Sequence, residues 1–174
     1  GVEAAFGAGE VRVRANTRDG GALVLPAPIW HRHQDENVDI TIGPGGMDRE
    51  VFSIRMFECG SELILTPDHI EKNDIGVGDD IFAVGMFVQR MGETKNLPIV
   101  RAGIISAMPE EEIRTQYGRH EAYLVETRSF DGLSGSPVFV QLPPLRYSVS
   151  GDGHKVVPSE YSHHLMGVLL GHNE

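Results

Sequence analysis

Apolar residues fall mainly in short runs closed off by Gly, Pro, Asp or Asn, the spacing expected of many short strands. EVRVRANTR at residues 10–18 alternates apolar and polar positions at its start, as a half-buried strand does. Arg18-Asp19-Gly20-Gly21 reads as a hairpin turn into a second strand, ALVLP at residues 22–26. Val38 to Ile42 predicts a strand that stops at Gly43-Pro44-Gly45-Gly46, and Val51 to Phe57 predicts another. Asp80 to Val88 follows a Gly-Asp-Asp turn. Ile99 to Met108 is a longer strand with Gly103 inside it, where a bulge or a close backbone contact is expected. Tyr123 to Thr127, Ser136 to Leu142 and Leu165 to Leu170 complete the set. Helical patterning is confined to Pro109–Tyr117 and the first few residues. The pattern predicts an all-β sandwich or barrel.

Composition narrows this picture. The 174 residues suit one domain, with 40% hydrophobic and 23% charged residues. A formal net charge of −10 repels phosphate backbones and argues against a nucleic-acid partner. No apolar run reaches the length of a membrane span. Cys59 is the single cysteine, so no internal disulfide can form, which favours a reducing, cytoplasmic setting. Cys59 reads as a small packing residue near a strand end.

One stretch carries chemistry. In Gly132-Leu133-Ser134-Gly135-Ser136-Pro137 a serine stands between glycines ahead of the apolar strand Val138-Phe139-Val140. A nucleophilic serine needs a tight turn that exposes its oxygen, and backbone N–H groups aimed at the developing oxyanion. Glycine permits both. The other reading is a Gly/Ser hairpin turn with no chemistry. The α/β-hydrolase elbow Gly-x-Ser-x-Gly is not met, because Ser136 stands where that pattern needs glycine.

Gly132 to Pro137 resembles the nucleophile loop of trypsin-like serine peptidases, and other stretches follow in that family's order. Val38-Asp39-Ile40-Thr41-Ile42 is similar to the strand that starts with the triad acid, with Thr41 in place of the usual alanine. Gly78-Asp79-Asp80-Ile81-Phe82-Ala83-Val84-Gly85 and Val100 to Ser106 resemble strands of the second barrel. Gly167-Val168-Leu169-Leu170-Gly171-His172 resembles the strand whose backbone pairs with substrate. Asn16 to Gly21 and Trp30-His31 resemble bacterial intracellular members. The resemblance implies one peptidase domain over residues 1–174, incomplete at both ends, with a chymotrypsin-like double β-barrel lacking its first strands. It implies Ser134 as nucleophile, Asp39 as the orienting acid, and the N–H groups of Gly132 and Ser134 as oxyanion hole. Leu169, Leu170 and Gly171 would bind substrate, and Arg128, six residues before the nucleophile, would sit at the base of the primary pocket and favour an acidic side chain. Leu133 replaces the family's aspartate, which pairs with a new N-terminus after zymogen cleavage, so a differently gated or constitutively formed site is expected.

The base is the difficulty. The family's Thr-Ala-x-His does not occur, and His31 and His33 stand too close to Asp39 in sequence. The other six histidines follow Asp39 and break the chain order. GVEAAFGAGEVRVR at the start matches the stretch just after the family's histidine, so the base is expected upstream of Gly1. Loss of a triad member typically costs about 10⁴-fold in rate.

Competing features are weaker. His31-x-His33 with Asp35 and Glu36, and His163-His164, have metal-ligand types but read as solvated polar loops, so no metal is expected. Glu110-Glu111-Glu112 suits a helix N-terminus. No cofactor is implied. The expected function is a serine endopeptidase acting on a protein or peptide, with no membrane partner and an associated or fused regulatory module as a further partner. The alternatives are a catalytically inactive trypsin-like module that binds peptides by strand addition, and an unrelated β-barrel interaction domain.

Overall fold

The computed structural model describes residues 11–27, 30–34, 38, 40–43, 46–53, 61–87, 90–115, 118–128, 132–150, 153–159 and 163–170. Strand dominates: β1 (Arg12–Asn16), β2 (Ala22–Pro26), β3 (His31–Arg32), β4 (Thr41–Ile42), β5 (Asp80–Met86), β6 (Pro98–Ala107), β7 (Glu112–Thr115), β8 (Gly118–Glu121), β9 (Leu124–Thr127), β10 (Pro137–Gln141), β11 (Leu145–Ser150), β12 (Gly153–Pro158) and β13 (His163–Val168). One short α-helix, α1 (Pro67–Asn73), follows a 3₁₀ turn at Ser61–Leu63. The chain is mostly β, as its patterning predicts. Among the described residues the strands form one five-stranded sheet and four two-stranded ribbons, with no closed ring. No described helix is long and apolar enough to cross a membrane.

The chain divides into two compact units. The first comprises residues 1–57, 89–97 and 113–120. In it β1 and β2 pair antiparallel from Arg12↔Pro26 to Asn16↔Ala22, turning at Thr17–Gly21 as the sequence predicts. Gly20 takes a φ of 92°, which the turn needs and glycine supplies. The segment at residues 92–96 is stapled to β1 by side chains. Asn16 Nδ2 donates to the Asn96 carbonyl (2.9 Å), the Asn96 N–H donates to Asn16 Oδ1 (2.6 Å), and Asn96 Nδ2 donates to the Arg14 carbonyl (2.7 Å). Each bond satisfies a backbone group that no ladder reaches. Val51 to Phe57, expected as a strand, is a turn at Val51 with a single bridge from Phe52 to Thr17, and residues 54–57 lie outside the described set. Of the strand expected at Val38–Ile42, Thr41–Ile42 forms β4, Val38 and Ile40 are not in a strand, and Asp39 lies outside the described set.

The second unit, residues 58–88, 98–112 and 121–174, holds the five-stranded sheet in the order β13-β10-β5-β6-β9. Its core is Ile75, Ile81, Ala83, Ile105, Val138, Val140 and Leu142, with Leu65, Ile70, Met108, Val125, Met166 and Leu169 packed against it. Burying each of the larger aliphatic side chains contributes about 1.5–3 kcal/mol. On the other face Phe139 stacks on Phe82, directly opposite it in register, at 5.0 Å. Gly103 lies in β6 against β9, where a Cβ would come within 2.1 Å of the Glu126 carbonyl oxygen. The expected close contact is therefore real, and the register irregularity falls two residues later, between Ile105 and Ala107.

Two elements differ from expectation. Pro109–Tyr117 does not begin a helix. Residues 109–111 bend, and Glu112–Thr115 forms β7, paired with β8. Only Ile113 and Tyr117 would mark an apolar helix face there. β-Branched Ile113 and Thr115, with Gly118 at φ 122°, suit a ribbon instead. The helix is α1. Thr66 caps it by accepting from the His69 N–H, Pro67 opens it, and Asp74 ends it in the left-handed region at φ 52°. The β11–β12 ribbon is tied down at its base, where Arg146 donates two hydrogen bonds to the Asp79 carboxylate (2.8 and 2.9 Å) and one to the Asp74 carbonyl (2.6 Å).

Candidate functional site at the Ser134 turn

Ser134 lies in the second unit, in the connection that enters β10. The Ser136 N–H donates to the Leu133 carbonyl (3.0 Å), closing a four-residue turn with Ser134 at its second position and Gly135 at its third. Gly135 has φ 81°, the value a type II turn requires at its third residue and that a side chain resists. Gly132, just ahead, has φ 94°. A Cβ at Gly135 would meet nothing within 4 Å, so glycine is needed there for conformation and not for space.

The turn alternates buried anchors with exposed groups. Leu133 is 3% exposed and Ser136 6% exposed, while Gly132, Ser134 and Gly135 face solvent. The turn is also tied to the chain beyond β13. The Gly135 N–H donates to the Leu169 carbonyl (2.7 Å), and the Leu169 N–H donates to the Ser136 carbonyl (2.9 Å). Among the described residues, neither the Gly132 nor the Ser134 N–H donates a backbone hydrogen bond. The turn therefore exposes the Ser134 residue, and no described carbonyl accepts from the Gly132 or Ser134 N–H.

Of the residues expected to form the site, Ser134, Gly132, Arg128, Leu169 and Leu170 are described, and the turn and Leu169 are in direct contact. Both backbone groups of Leu169 are taken up by the turn. In an extended chain the backbone groups of the next residue, half-buried Leu170, point the other way. Arg128 is exposed just past β9, at the sheet edge opposite β13. Asp39 and Gly171 lie outside the described residues, as does Cys59. His31 and His33 are exposed, in and beside β3. His163 stands edge-on to Phe82 and Phe139, and His164 is 1% exposed with its ring 5.0 Å from that of His69. These two histidines are thus half-buried and buried strand residues, not the solvated loop the sequence suggests. Among the described residues no group of three or more His, Cys, Asp or Glu side chains converges as a metal site.

Gly85 is a site residue that the motif does not reveal. It lies in β5 beneath the turn, where a Cβ would come within 2.0 Å of Ser136 Oγ and 2.9 Å of Leu133 Cδ2. The visible signal is a glycine interrupting the apolar strand DIFAVGM. A concavity of about 430 Å³ beside Thr17, Leu23 and Val51 belongs to the first unit, and no candidate residue lines it. No family model, curated protein or solved structure was found to match the chain.

Proposed function

We propose that the chain is a serine endopeptidase of the trypsin-like kind, with Ser134 as nucleophile, built on a chymotrypsin-like double β-barrel. The observation that carries the reading is the Ser134 turn: an exposed serine at the corner of a turn held by positive-φ glycine, next to two N–H groups without a described backbone acceptor. In this reading Ser134 Oγ attacks the peptide carbonyl while a histidine base takes its proton. The Gly132 and Ser134 N–H groups hold the oxyanion. The C–N bond breaks, the amine leaves with the proton, and water then hydrolyses the acyl-enzyme. Asp39 orients the base. None of the eight histidines of the chain is assigned that role. Leu169 holds the turn, and Leu170 and Gly171 present the edge that pairs with substrate. Buried Leu133 anchors the turn by apolar packing where the resembling enzymes use an ion pair, which fits a site formed without zymogen cleavage.

The test is covalent labelling of the full-length protein with a fluorophosphonate, read by intact mass and peptide mapping. One adduct on Ser134, absent in Ser134→Ala, is expected. A full-length protein that takes up no label and cleaves no peptide overturns the reading and leaves the peptide-binding module.

A further inference from the structure

Gly85 has no stated role in the resemblance, yet its geometry is demanding. The β5–β10 register pairs Ala83 with Val138, and two residues further on it sets Ser136 across from Gly85. On its other side Gly85 pairs with Ile99 of β6. Its φ lies outside the left-handed region, so the backbone would accept any residue. Space is what excludes a side chain. A Cβ would lie 2.0 Å from Ser136 Oγ, 2.9 Å from Leu133 Cδ2 and 3.0 Å from Ser136 Cβ. The volume a side chain would take is filled by the two residues that flank Ser134, and both are buried.

We infer that Gly85 is a positioning residue for Ser134: its missing side chain is the seat into which Leu133 and Ser136 settle, and this seat sets the height of the serine above the sheet. The catalytic part of this inference rests on the nucleophile reading above. The seat itself does not. A methyl group at Gly85 must push Ser136 and Leu133 outward, and the turn between them moves as one piece because Ser136 is bonded to Leu133 and Leu169 to both Gly135 and Ser136. A shift of about 1 Å at a reacting group costs on the order of 10²-fold in rate.

The experiment compares wild type, Gly85→Ala and Gly85→Ala/Ser136→Gly in the full-length protein. It reads the rate of fluorophosphonate labelling at Ser134 and the backbone amide signals of Leu133 to Ser136. Gly85→Ala is expected to label about 10²-fold more slowly with displaced turn amides. The double variant, which removes both crowding atoms of Ser136, is expected to recover much of both. Unchanged turn amides in Gly85→Ala overturn the seat, and so does a double variant no better than the single one, including the case where Gly85→Ala fails to fold. If wild type does not label, the nucleophile reading falls, and the amide signals alone decide on the seat.

Discussion

The turn at residues 17–21 closes mainly on itself, with further ties to residues 49–52, whereas the turn at residues 132–136 closes mainly on its neighbours. Both are rich in glycine and small polar residues. In the first, the Thr17 N–H donates to the Gly21 carbonyl (3.0 Å), the Gly20 N–H donates to the Thr17 carbonyl (3.2 Å), and Asp19 accepts from Thr17 Oγ1 and the Gly21 N–H. All four bonds join residues two to four apart; only Arg18 reaches farther, its backbone N–H donating to the Val51 carbonyl (3.0 Å) and its Nε to the Arg49 carbonyl (2.6 Å). Asp19 and Gly20 are exposed, and a Cβ at Gly20 meets nothing. In the second, one internal bond is joined by two bonds to Leu169, and two side chains are buried over Gly85. A locally closed turn joins two strands and tolerates change. A turn closed by tertiary contacts holds an exposed side chain at a defined height, as a reacting group requires.

The contrast can be broken most severely at Leu133. Leu133→Ala removes a buried anchor, and a loss of about 2–5 kcal/mol is expected in chemical denaturation. Labelling of Ser134 should fall with it, even under conditions where the variant stays folded. A full labelling rate in folded Leu133→Ala would show that the turn holds without its anchor. Gly20→Ala is the matching change in the other turn. It forces alanine to φ 92° and should cost about 1 kcal/mol, with Ser134 labelling untouched. A change in labelling there would contradict the independence of the two turns.

The smallest effect is expected at Asp19. The Thr17 hydroxyl and then the Gly21 N–H donate to its carboxylate and hold its pKa below the ordinary carboxylate value. A lowered native pKa means that these bonds contribute fully above the unfolded-state pKa and fade as the pH drops through the native one. Asp19→Asn should therefore melt slightly below wild type near neutral pH, and the gap should close in acid. A gap that stays constant with pH would assign the difference to something other than the carboxylate.

Much of the sheet was legible because its cues are local. Alternation in EVRVRANTR and the Asp-Gly-Gly turn predict β1 and β2 to within a few residues, and DIFAVGM and PVFVQ are recognisable as buried strands. The helix was less so. α1 carries start signals in Thr66, Pro67 and Asp68, but seven residues are too few for a periodic apolar stripe. Pro109–Tyr117 carries acids suited to a helix start, yet it pairs as a ribbon because its partner β8 stands close by in the chain. The pairing of β10 with both β5 and β13 depends on residues far apart in sequence, and no short-range pattern encodes it.

The sequence by itself determined where the chain turns, which runs are apolar, and that Ser134 stands between glycines that free the backbone for positive φ. These follow from steric limits and hydrogen bonds within a few residues. Only the tertiary structure decided that Leu133 and Ser136 are anchors, that Leu169 bonds to the turn, and that Gly85 must lack a side chain. The reason is physical: burial and register are settled between strands, and a glycine required for space cannot be told from one required for conformation until the atoms above it are known.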